Sequence, residues 1–462
     1  MVFSSITFLF YFLPVVLILY YVVPNKAKNL VLLIFSLLFY FFGEPSYLWL
    51  MLISIFSIYV HGLLIAKYQK TKYAKLFLVS AIIVSIGLLV YFKYADFLIE
   101  NINLFLQHKI DALGIILPIG ISFYTFQMIS YVIDVYKGQA KVQRNFLKLA
   151  TYVALFPQLI AGPIVRYTTI EEQLEKREYS FSKFSLGARR FIIGLAKKVL
   201  IANVLGELVK VYGNTTDNTV LFHWMYAISN MLQIYFDFSG YSDMAIGLGK
   251  MLGFEFPENF NYPYVANSIT DFWRRWHISL SSWFRDYVYI PLGGNRVNVL
   301  KWIRNILIVW FLTGLWHGAS WNFILWGLYF GVLLLIEKFF LLKYLEKLPK
   351  WIDRIYVLLI VLISFLIFSG SNLAQIGKDI VGLLPIGGIA LFSSTSLYYM
   401  GSYFFTFLIA IVGSTPWIKN KLVKWNPKIL NCLEPVFLII LFLISVSYLI
   451  DGSFNPFLYF RF

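Results

Sequence analysis

Long stretches of this chain contain no charged side chain, and they constrain the fold more than any other feature. A helix that crosses a lipid bilayer needs about 20 mostly apolar residues. The uncharged runs, which are the candidate spans, are residues 1–25, 29–43, 45–66, 76–92, 112–133, 149–165, 218–236, 305–336, 355–377, 380–418 and 435–450. The segment 191–212 is a further candidate, although Lys197 and Lys198 lie near its start.

Composition excludes the other classes of protein. Hydrophobic residues make up 60% of the 462 residues and charged residues 13%, whereas an ordinary soluble domain carries about 25% charged residues. So few charges cannot coat a water-facing surface of this size, and disorder requires low hydrophobicity with high charge. An outer-membrane barrel would show short alternating segments instead of continuous apolar runs. The sequence therefore predicts an all-α polytopic membrane protein.

Lysine and arginine predict how the chain is oriented. The net charge is +16, and basic loops are retained on the cytoplasmic side of a membrane. We attribute the excess to this topology and expect no nucleic-acid partner. Basic loops alternate with loops of low or mixed charge, which predicts a multi-pass protein of the cytoplasmic (inner) membrane with both termini outside. The loops predicted to be external are those at Glu44, 93–111, 213–219 and 375–379.

Two uncharged runs break this alternation, because each has basic loops on both sides and must return to the face that it left. The run 149–165 contains Pro157 and Pro163, and such helix breakers suit a re-entrant segment. The run 305–336 is long enough for a tight hairpin of two short helices.

Metal and cofactor chemistry have little support in the sequence. Cys432 is the one cysteine, which excludes intramolecular disulfides and multi-cysteine metal sites. The sequence contains no metal-spaced His/Glu cluster, no phosphate-binding glycine loop and no Gly-x-Ser-x-Gly elbow. We predict no metal ligand and no permanently bound cofactor.

His317 is the first candidate catalytic residue, because an ionisable side chain within an apolar run is costly and marks a functional site by default. A lone histidine on an apolar face is more often structural. Here Gly314 and Gly318 are expected to leave open space around the ring, with Trp316 and Trp321 as flat walls. Burial favours the neutral imidazole, the form that a general base requires.

His277 is the second candidate, in a segment where tryptophans alternate with arginines. The simpler reading is an interfacial amphipathic helix with snorkelling arginines. The functional reading is a cytoplasmic anion-binding wall, because arginine suits phosphates. The predicted donor-binding residues are Arg274, Arg275, Arg285, Trp276 and Asn322.

Two carboxylates, Asp237 and Asp243, occur in the segment 235–244. They could carry protons or cations in a transporter. We favour a structural role, in which they bond helix ends and neighbouring basic groups.

Five segments, taken together and in this order, resemble the membrane-bound O-acyltransferase family. The resemblance is strongest to the bacterial branch that includes alginate and peptidoglycan O-acetylation proteins and teichoic-acid D-alanylation proteins. It extends over essentially the whole chain, although any one segment alone would be weak. The segments are 118–126, 156–163, 235–244, 273–286 and 315–318.

The resemblance implies a fold and two histidine roles. His317 matches the catalytic histidine of the family, and His277 matches its second, polar-site histidine. The expected fold is a ring of about 11–12 transmembrane helices with re-entrant segments around a central tunnel. It would form one integral-membrane domain over residues 1–462, with N-terminal helices in 1–112, a catalytic core in 113–336, and C-terminal helices and an external tail in 337–462.

The resemblance also implies substrates and partners. Members of this branch take an acyl group from a cytoplasmic thioester, here expected to be acetyl-CoA, and deliver it across the membrane. A periplasmic or surface SGNH-type acetyltransferase then places it on a polysaccharide hydroxyl, which makes the expected partners this enzyme, the acyl donor and membrane lipid.

The C-terminal tail carries a further resemblance. The spacing Phe457-x-Tyr459-x-x-Phe462 is similar to a C-terminal motif of the same branch, and it predicts Tyr459 as an acyl relay. The alternative is an aromatic belt at the membrane interface.

Two other functions stay open. One is transfer of D-alanine from a carrier-protein thioester to teichoic acid. The other is a transporter or flippase in which Asp237, Asp243 and the arginines line a pathway.

Overall fold

The computed structural model describes residues 1–452 and 457–458, and every regular element in that part of the chain is helical. The predicted all-α fold is confirmed. Contacts divide the chain into two compact units. The first comprises Met1–Ile192, Tyr241–Pro257 and the described residues of Gly452–Phe462, and the second comprises Ile193–Gly240 and Glu258–Asp451.

The first half of the chain begins with a π-helical turn, Phe8–Phe12, and has a 3-10 turn at Pro45–Tyr47. Its α-helices are α1 (Leu13–Val22), α2 (Lys28–Phe41), α3 (Leu48–Lys67), α4 (Lys72–Ile102), α5 (Ile121–Lys137), α6 (Phe146–Ala154), α7 (Phe156–Leu159), α8 (Tyr167–Glu175) and α9 (Phe181–Ala196).

The rest of the chain has π-helical turns at Lys197–Ala202, Arg285–Tyr289 and Glu337–Leu341, and a 3-10 turn at Pro263–Val265. Helices α9 and α11 contribute residues to both units. The remaining α-helices are α10 (Asn203–Asn214), α11 (Val220–Met251), α12 (Ile269–Arg275), α13 (Ile278–Phe284), α14 (Val299–His317), α15 (Trp321–Ile336), α16 (Leu342–Leu345), α17 (Lys350–Ser369), α18 (Leu373–Val381), α19 (Ser394–Gly413), α20 (Trp417–Leu422) and α21 (Pro427–Asp451).

Seven helices in the described part of the chain are long and apolar enough to cross a bilayer, so the chain is a multi-pass membrane protein. This number is smaller than the predicted 11–12, because several uncharged runs form shorter helices: the run 112–133 contributes to α5, which has 17 residues. Phe8–Val22 and Lys28–Phe41 are apolar but also shorter. The seven are Pro45–Lys67, Lys72–Ile102, Val299–His317, Trp321–Leu345, Lys350–Ser369, Ser394–Gly413 and Pro427–Asp451.

The run 149–165 is broken as its prolines predict. Helix α6 ends before Leu155, and α7 begins at Phe156 with Pro157 in its first turn, where a missing N–H costs least. The backbone N–H of Phe156 donates to Ser36 Oγ at 3.0 Å. Every residue of the run is buried, so the segment forms two short helices within the first unit.

The run 305–336 forms the predicted hairpin, α14 and α15, in the second unit. Its helices are longer than expected, because they continue beyond the uncharged run at both ends. Glycine permits their close approach: a Cβ on Gly327 would lie 2.2 Å from the carbonyl oxygen of Trp310. Small residues allow the same close packing between membrane helices in general.

The short helix α12 is held in place by a carboxylate from another part of the second unit. Glu337, which is fully buried, accepts hydrogen bonds from the backbone N–H of Ile269 (2.6 Å) and of Thr270 (3.0 Å) and from Thr270 Oγ1 (3.0 Å). These N–H groups are the unpaired donors of a helix N-terminus, where negative charge is stabilising. Glu337 thereby positions the segment that ends at His277.

Candidate active site

His317 is the last residue of α14 and is 2% exposed. The chain continues through Gly318 in extended conformation, and α15 begins at Trp321. The histidine therefore lies at the turn of the α14–α15 hairpin, buried within the second unit.

Three aromatic rings stand edge-on around His317. The ring centroids of Trp326, Trp316 and Phe368 lie 4.9, 5.1 and 5.3 Å from that of the imidazole, at interplanar angles of 81° to 84°. Trp316 precedes His317 in sequence, whereas Trp326 and Phe368 come from α15 and α17. An apolar wall of this kind restricts the access of water to the imidazole.

The two glycines beside His317 do not leave open space, and this expectation was wrong. A Cβ on Gly314 would lie 2.3 Å from the carbonyl oxygen of Phe323, and one on Gly318 would lie 2.2 Å from the Phe323 ring. The physical reason is that α15 returns directly against the end of α14. These glycines permit close helix packing, and the surroundings of His317 are aromatic instead.

His277 precedes α13 in a left-handed backbone conformation, with φ 43° and ψ 54°. Few residues other than glycine adopt this region, and those that do often occur at functional sites. The backbone N–H of Ile278 donates to the carbonyl oxygen of Asn259 at 3.0 Å. His277 therefore lies at a sharp turn between α12 and α13 and does not continue one amphipathic helix.

The side chain of Asn259 determines the tautomer of His277. The Oδ1 atom of Asn259 accepts from the backbone N–H of Ser279 (3.2 Å) and from Ser279 Oγ (2.8 Å). The Nδ1 atom of His277 lies 3.2 Å from the same oxygen. Because a carbonyl oxygen only accepts, Nδ1 carries the proton and Nε2 is unprotonated. No described residue bonds that buried Nε2.

His277 is neutral as well as buried. It is 1% exposed and lies outside the spanning helices, and burial lowers its pKa to about 3. The ring of Phe238 stands edge-on to it, with centroids 4.7 Å apart. The site therefore presents a neutral imidazole nitrogen that can accept a hydrogen bond.

Trp316 links the two histidines. Its ring centroid lies 5.8 Å from that of His277 and 5.1 Å from that of His317. All three rings are buried. The structure thus brings together the two histidines that the sequence singled out, both next to one indole.

The three predicted donor-binding arginines lie near His277 in sequence but differ in surroundings. Arg274 is exposed. Arg275 pairs with Asp271 at 2.9 Å, and Arg285 pairs with Asp286 at 2.6 Å. A phosphate would have to compete with these carboxylates for two of the three guanidinium groups.

The other two donor-binding candidates occupy different places. Trp276 is 2% exposed and packs against Phe272 and Phe365, at centroid distances of 5.5 and 5.2 Å. Asn322, in the first turn of α15, donates from Nδ2 to the carbonyl oxygen of Phe368 at 2.9 Å. Asn322 thus holds one of the residues that cover His317.

Both candidate aspartates form ion pairs. In the second unit, Asp237 lies 2.5 Å from Lys198 Nζ, with both side chains buried. In the first unit, Asp243 lies 2.9 Å from Arg190. Both carboxylates thus pair with neighbouring basic side chains, as the structural role predicts.

The predicted relay, Tyr459, lies outside the described residues, as does Phe462. Phe457 is described and is 2% exposed. In the first unit its ring stands edge-on to that of Tyr241, with centroids 4.6 Å apart. The tail is therefore packed into the protein two residues before the tyrosine.

Sequence reasoning missed the residues that orient the two histidines. No local sequence pattern distinguishes Asn259, Phe368 and Glu337 from other polar or aromatic residues. Each of them contacts a residue that is distant in sequence. Within the described residues, no group of three His, Cys, Asp or Glu side chains could hold a metal ion.

Known proteins provide an independent comparison. Residues 140–376 match the family described as MBOAT, membrane-bound O-acyltransferase family. This range contains both histidines and the whole of the α14–α15 hairpin.

Three relatives illustrate the similarity. The chain is 43% identical over 378 residues to the probable alginate O-acetylase AlgI of Azotobacter vinelandii, covering 81% of this chain and 76% of the relative. It is 37% identical over 485 residues to the protein of the same description from Pseudomonas putida, covering 100% of both. It is 36% identical over 427 residues to the peptidoglycan O-acetyltransferase of Helicobacter pylori, covering 85% of this chain and 81% of the relative.

Proposed function

Since the chain belongs to the membrane-bound O-acyltransferase family and is a multi-pass membrane O-acyltransferase, we propose that it acetylates an exported or cell-envelope polysaccharide. The acetyl group is taken from cytoplasmic acetyl-CoA and delivered across the cytoplasmic (inner) membrane, with both termini of the chain outside. The names of the relatives, which refer to alginate O-acetylation and peptidoglycan O-acetylation, support this class of acceptor.

The observation that carries the proposal is the environment of His317. Three aromatic rings enclose this buried histidine at the turn of a membrane hairpin. Burying an ionisable side chain there costs free energy, and a purely structural role does not explain why the chain bears that cost. The same environment protects an acyl intermediate from water.

The proposed chemistry is general-base catalysis by His317. The imidazole takes the proton of an acceptor hydroxyl while the oxygen attacks the thioester carbonyl. The C–S bond then breaks, and the departing CoA sulfur takes the proton from the imidazolium. The products are an oxygen ester and free CoA thiol, and the histidine returns to its initial state.

In this scheme His277 supports the donor. Its unprotonated Nε2 accepts a hydrogen bond from the donor beside the reacting thioester, and Asn259 maintains the required tautomer. Arg274, Arg275 and Arg285 contact the phosphates of CoA, because a guanidinium pairs well with phosphate. Arg275 and Arg285 then exchange their aspartate partners for the donor.

The acceptor hydroxyl in the first transfer is that of Tyr459. His317 removes the phenol proton, which is largely retained at neutral pH in an unperturbed tyrosine. The resulting aryl ester passes its acetyl group to a serine of a periplasmic or surface SGNH-type transferase, which restores the phenol. Burial of Phe457 supports the proposal, since an anchored tail raises the local concentration of the nucleophile.

Labelled acetyl-CoA tests the proposal. We expect purified wild-type protein in lipid nanodiscs to release CoA thiol and become acetylated, and His317→Ala to lose this activity by about 10²–10⁴-fold. His108→Ala, an exposed histidine, is the matched control and should retain it. Near-wild-type turnover by a folded His317→Ala protein would refute the role of His317.

Two further experiments test the Tyr459 relay and the identity of the acyl group. Tyr459→Phe keeps the ring but lacks the attacking hydroxyl, so we expect neither acetylation of the protein nor release of CoA thiol above the level of His317→Ala. A D-alanyl carrier-protein thioester offered in place of acetyl-CoA tests the other acyl group, and faster turnover with that donor would contradict acetyl transfer.

A further inference from the structure

A polar cavity of about 780 Å³ lies in the second unit, and neither His277 nor His317 lines it. One wall is the segment that joins α10 to α11, and the other runs from the end of α17 through α18. Its volume falls in the range of small-molecule sites, roughly 300–1,000 Å³. The lining residues used below are Tyr212, Asp217, Tyr226, Ser369, Lys378 and Asp379.

Asp379 gives the cavity a buried hydrogen-bond acceptor. The residue is 2% exposed, and its Oδ1 accepts from Tyr212 Oη at 2.9 Å and from Gln375 Nε2 at 2.8 Å. No described residue donates to Oδ2. Because Oδ2 retains access to the cavity while the side chain as a whole is buried, it can accept hydrogen bonds from a ligand that donates them.

The wall around Asp379 is pre-organised. His223 Nδ1 lies 2.7 Å from Tyr212 Oη, and His223 Nε2 lies 2.7 Å from Asn218 Oδ1. The Tyr212 ring stacks on that of Tyr226 with centroids 4.0 Å apart. A connected polar network of this kind holds its members in one arrangement. None of these contacts involves the hairpin or the two site histidines.

The opposite carboxylate is held as well. Asp217 Oδ2 accepts a hydrogen bond from Ser393 Oγ. The backbone N–H groups of Val220 and Leu221 each donate to the segment before α19, to Ala390 and Leu391, at 3.0 Å. These bonds fix the segment that forms the rim of the cavity.

The cavity begins one residue from the proposed catalytic centre. Phe368 covers the His317 ring at a centroid distance of 5.3 Å, and the next residue, Ser369, lines the cavity. Ser369 Oγ donates to Asn230 Oδ1 at 3.1 Å. Both walls also include residues of segments, 213–219 and 375–379, that the charge pattern predicts to be external, although the structure places 375–379 within α18.

We infer that this cavity binds a neutral, hydroxyl-rich saccharide unit of the acceptor polymer. Carboxylates accept from pairs of sugar hydroxyls, Lys378 can donate to sugar oxygens, and Ser369 Oγ can accept from a sugar hydroxyl. The two carboxylates, Asp217 and Asp379, and the single ammonium group of Lys378 leave a net negative formal charge among these residues. A negative site disfavours a polyuronate, which is itself negative, and favours an uncharged sugar. The inference deepens the proposed function and rests on it for the role of the bound sugar, whereas binding itself does not require acyl transfer.

Calorimetry on the full-length protein in lipid nanodiscs tests the inference with three probes: N,N′-diacetylchitobiose, tetramannuronate and calcium chloride. We expect the neutral disaccharide to bind and the other two not to bind. Asp379→Asn keeps Oδ1 for Tyr212 but replaces the free oxygen with an amide nitrogen, so it should weaken disaccharide binding by about tenfold or more.

Matched variants keep the test decisive. Asp217→Asn should also weaken binding, and it serves as the second variant if Asp379→Asn does not fold. Asp111→Asn, an exposed aspartate of the first unit, should bind as the wild type does. His317→Ala should bind the disaccharide normally, so that loss of acyl transfer and loss of sugar binding are scored separately.

Three results would overturn the inference. The first is absence of disaccharide binding by the folded wild-type protein. The second is unchanged disaccharide binding in both aspartate variants. The third is tighter binding of tetramannuronate or calcium than of the disaccharide, which would show that charge is the basis of recognition.

Discussion

His277 donates a hydrogen bond from Nδ1 to Asn259 Oδ1 at 3.2 Å, and this contact leaves Nε2 of the histidine unprotonated in a buried site. Asn259 is itself fully buried. Asn259, which lies 18 positions earlier in the sequence, therefore controls which ring nitrogen of His277 can accept a hydrogen bond from a substrate.

Asn259→Ala removes the oxygen that accepts from His277 and from Ser279. We expect a loss of stability of about 1–3 kcal/mol, because buried donors lose this acceptor. We also expect a mixture of His277 tautomers, measured by nitrogen-15 NMR of labelled histidine. The exposed Asn420→Ala is the control, and a single unchanged tautomer in Asn259→Ala would contradict this role.

The thermal stability of the protein should fall in acid because of His277. The unfolded histidine takes up a proton near pH 6.5, whereas burial lowers the folded pKa to about 3. The unfolded state therefore binds more protons between these values, and stability is lost as pH falls from about 6.5 towards 3. His277→Asn, which tolerates the left-handed backbone, should make the unfolding midpoint less dependent on pH.

The control for this measurement is His108→Asn, because His108 is exposed. It should reproduce the wild-type dependence of the unfolding midpoint on pH. An equal dependence in wild type and His277→Asn would assign the acid sensitivity to other groups.

Glu337→Gln should weaken the hydrogen bonding that holds the N-terminus of α12 in place. Glutamine keeps one acceptor oxygen and replaces the other with an amide nitrogen, so one of the two backbone N–H groups, of Ile269 or of Thr270, loses its acceptor, and we expect a loss of about 1–3 kcal/mol of stability. A positioning role further predicts a raised KM for the proposed donor, acetyl-CoA, with a smaller change in kcat. Glu346→Gln, at an exposed position beyond the same hairpin, should change neither value, and an unchanged KM in Glu337→Gln would limit the residue to stability.

Trp326→Phe tests whether the indole N–H beside His317 contributes to catalysis. Its Nε1 is buried and bonds no described residue, so it is available to donate to the developing oxyanion. We expect kcat to fall by about 10²-fold, as for the loss of one such donor. Trp273→Phe is a matched control, since Trp273 Nε1 is also buried without a bond to a described residue. An equal fall in kcat in the two variants would indicate that lost packing, and not the lost indole N–H, causes the effect.

Asp237→Asn should destabilise the second unit strongly, because it leaves buried Lys198 without its carboxylate. Breaking a buried ion pair typically costs about 3–5 kcal/mol. The double variant Lys198→Met/Asp237→Leu should recover most of that stability, as measured by thermal unfolding. Lys210→Met, at an exposed pair, should have little effect. A stable Asp237→Asn protein would reopen the transport hypothesis for this residue.

Much of the fold was predictable because hydropathy is a local property of the sequence. The uncharged runs predicted a helical membrane protein, and the prolines near 157 predicted the break between α6 and α7. Seven of the described helices are long and apolar enough to cross a bilayer, and other uncharged runs contribute to shorter helices, whose ends hydropathy does not define. Gly314 and Gly318 were also misread, because a glycine reports only that space is required, and the occupant here is Phe323.

Local patterns were enough to predict the membrane class and the hairpin around His317 and to single out two candidate histidines, because charge, apolar run length and local motifs are properties of neighbouring residues. The rings that enclose His317, the tautomer of His277 and the lysine that pairs with Asp237 could be read only from the packed helices. Phe368 reaches His317 from another helix, and Lys198 is 39 positions from Asp237. Contacts of this kind depend on how helices pack, and packing is set by the whole set of side chains at once.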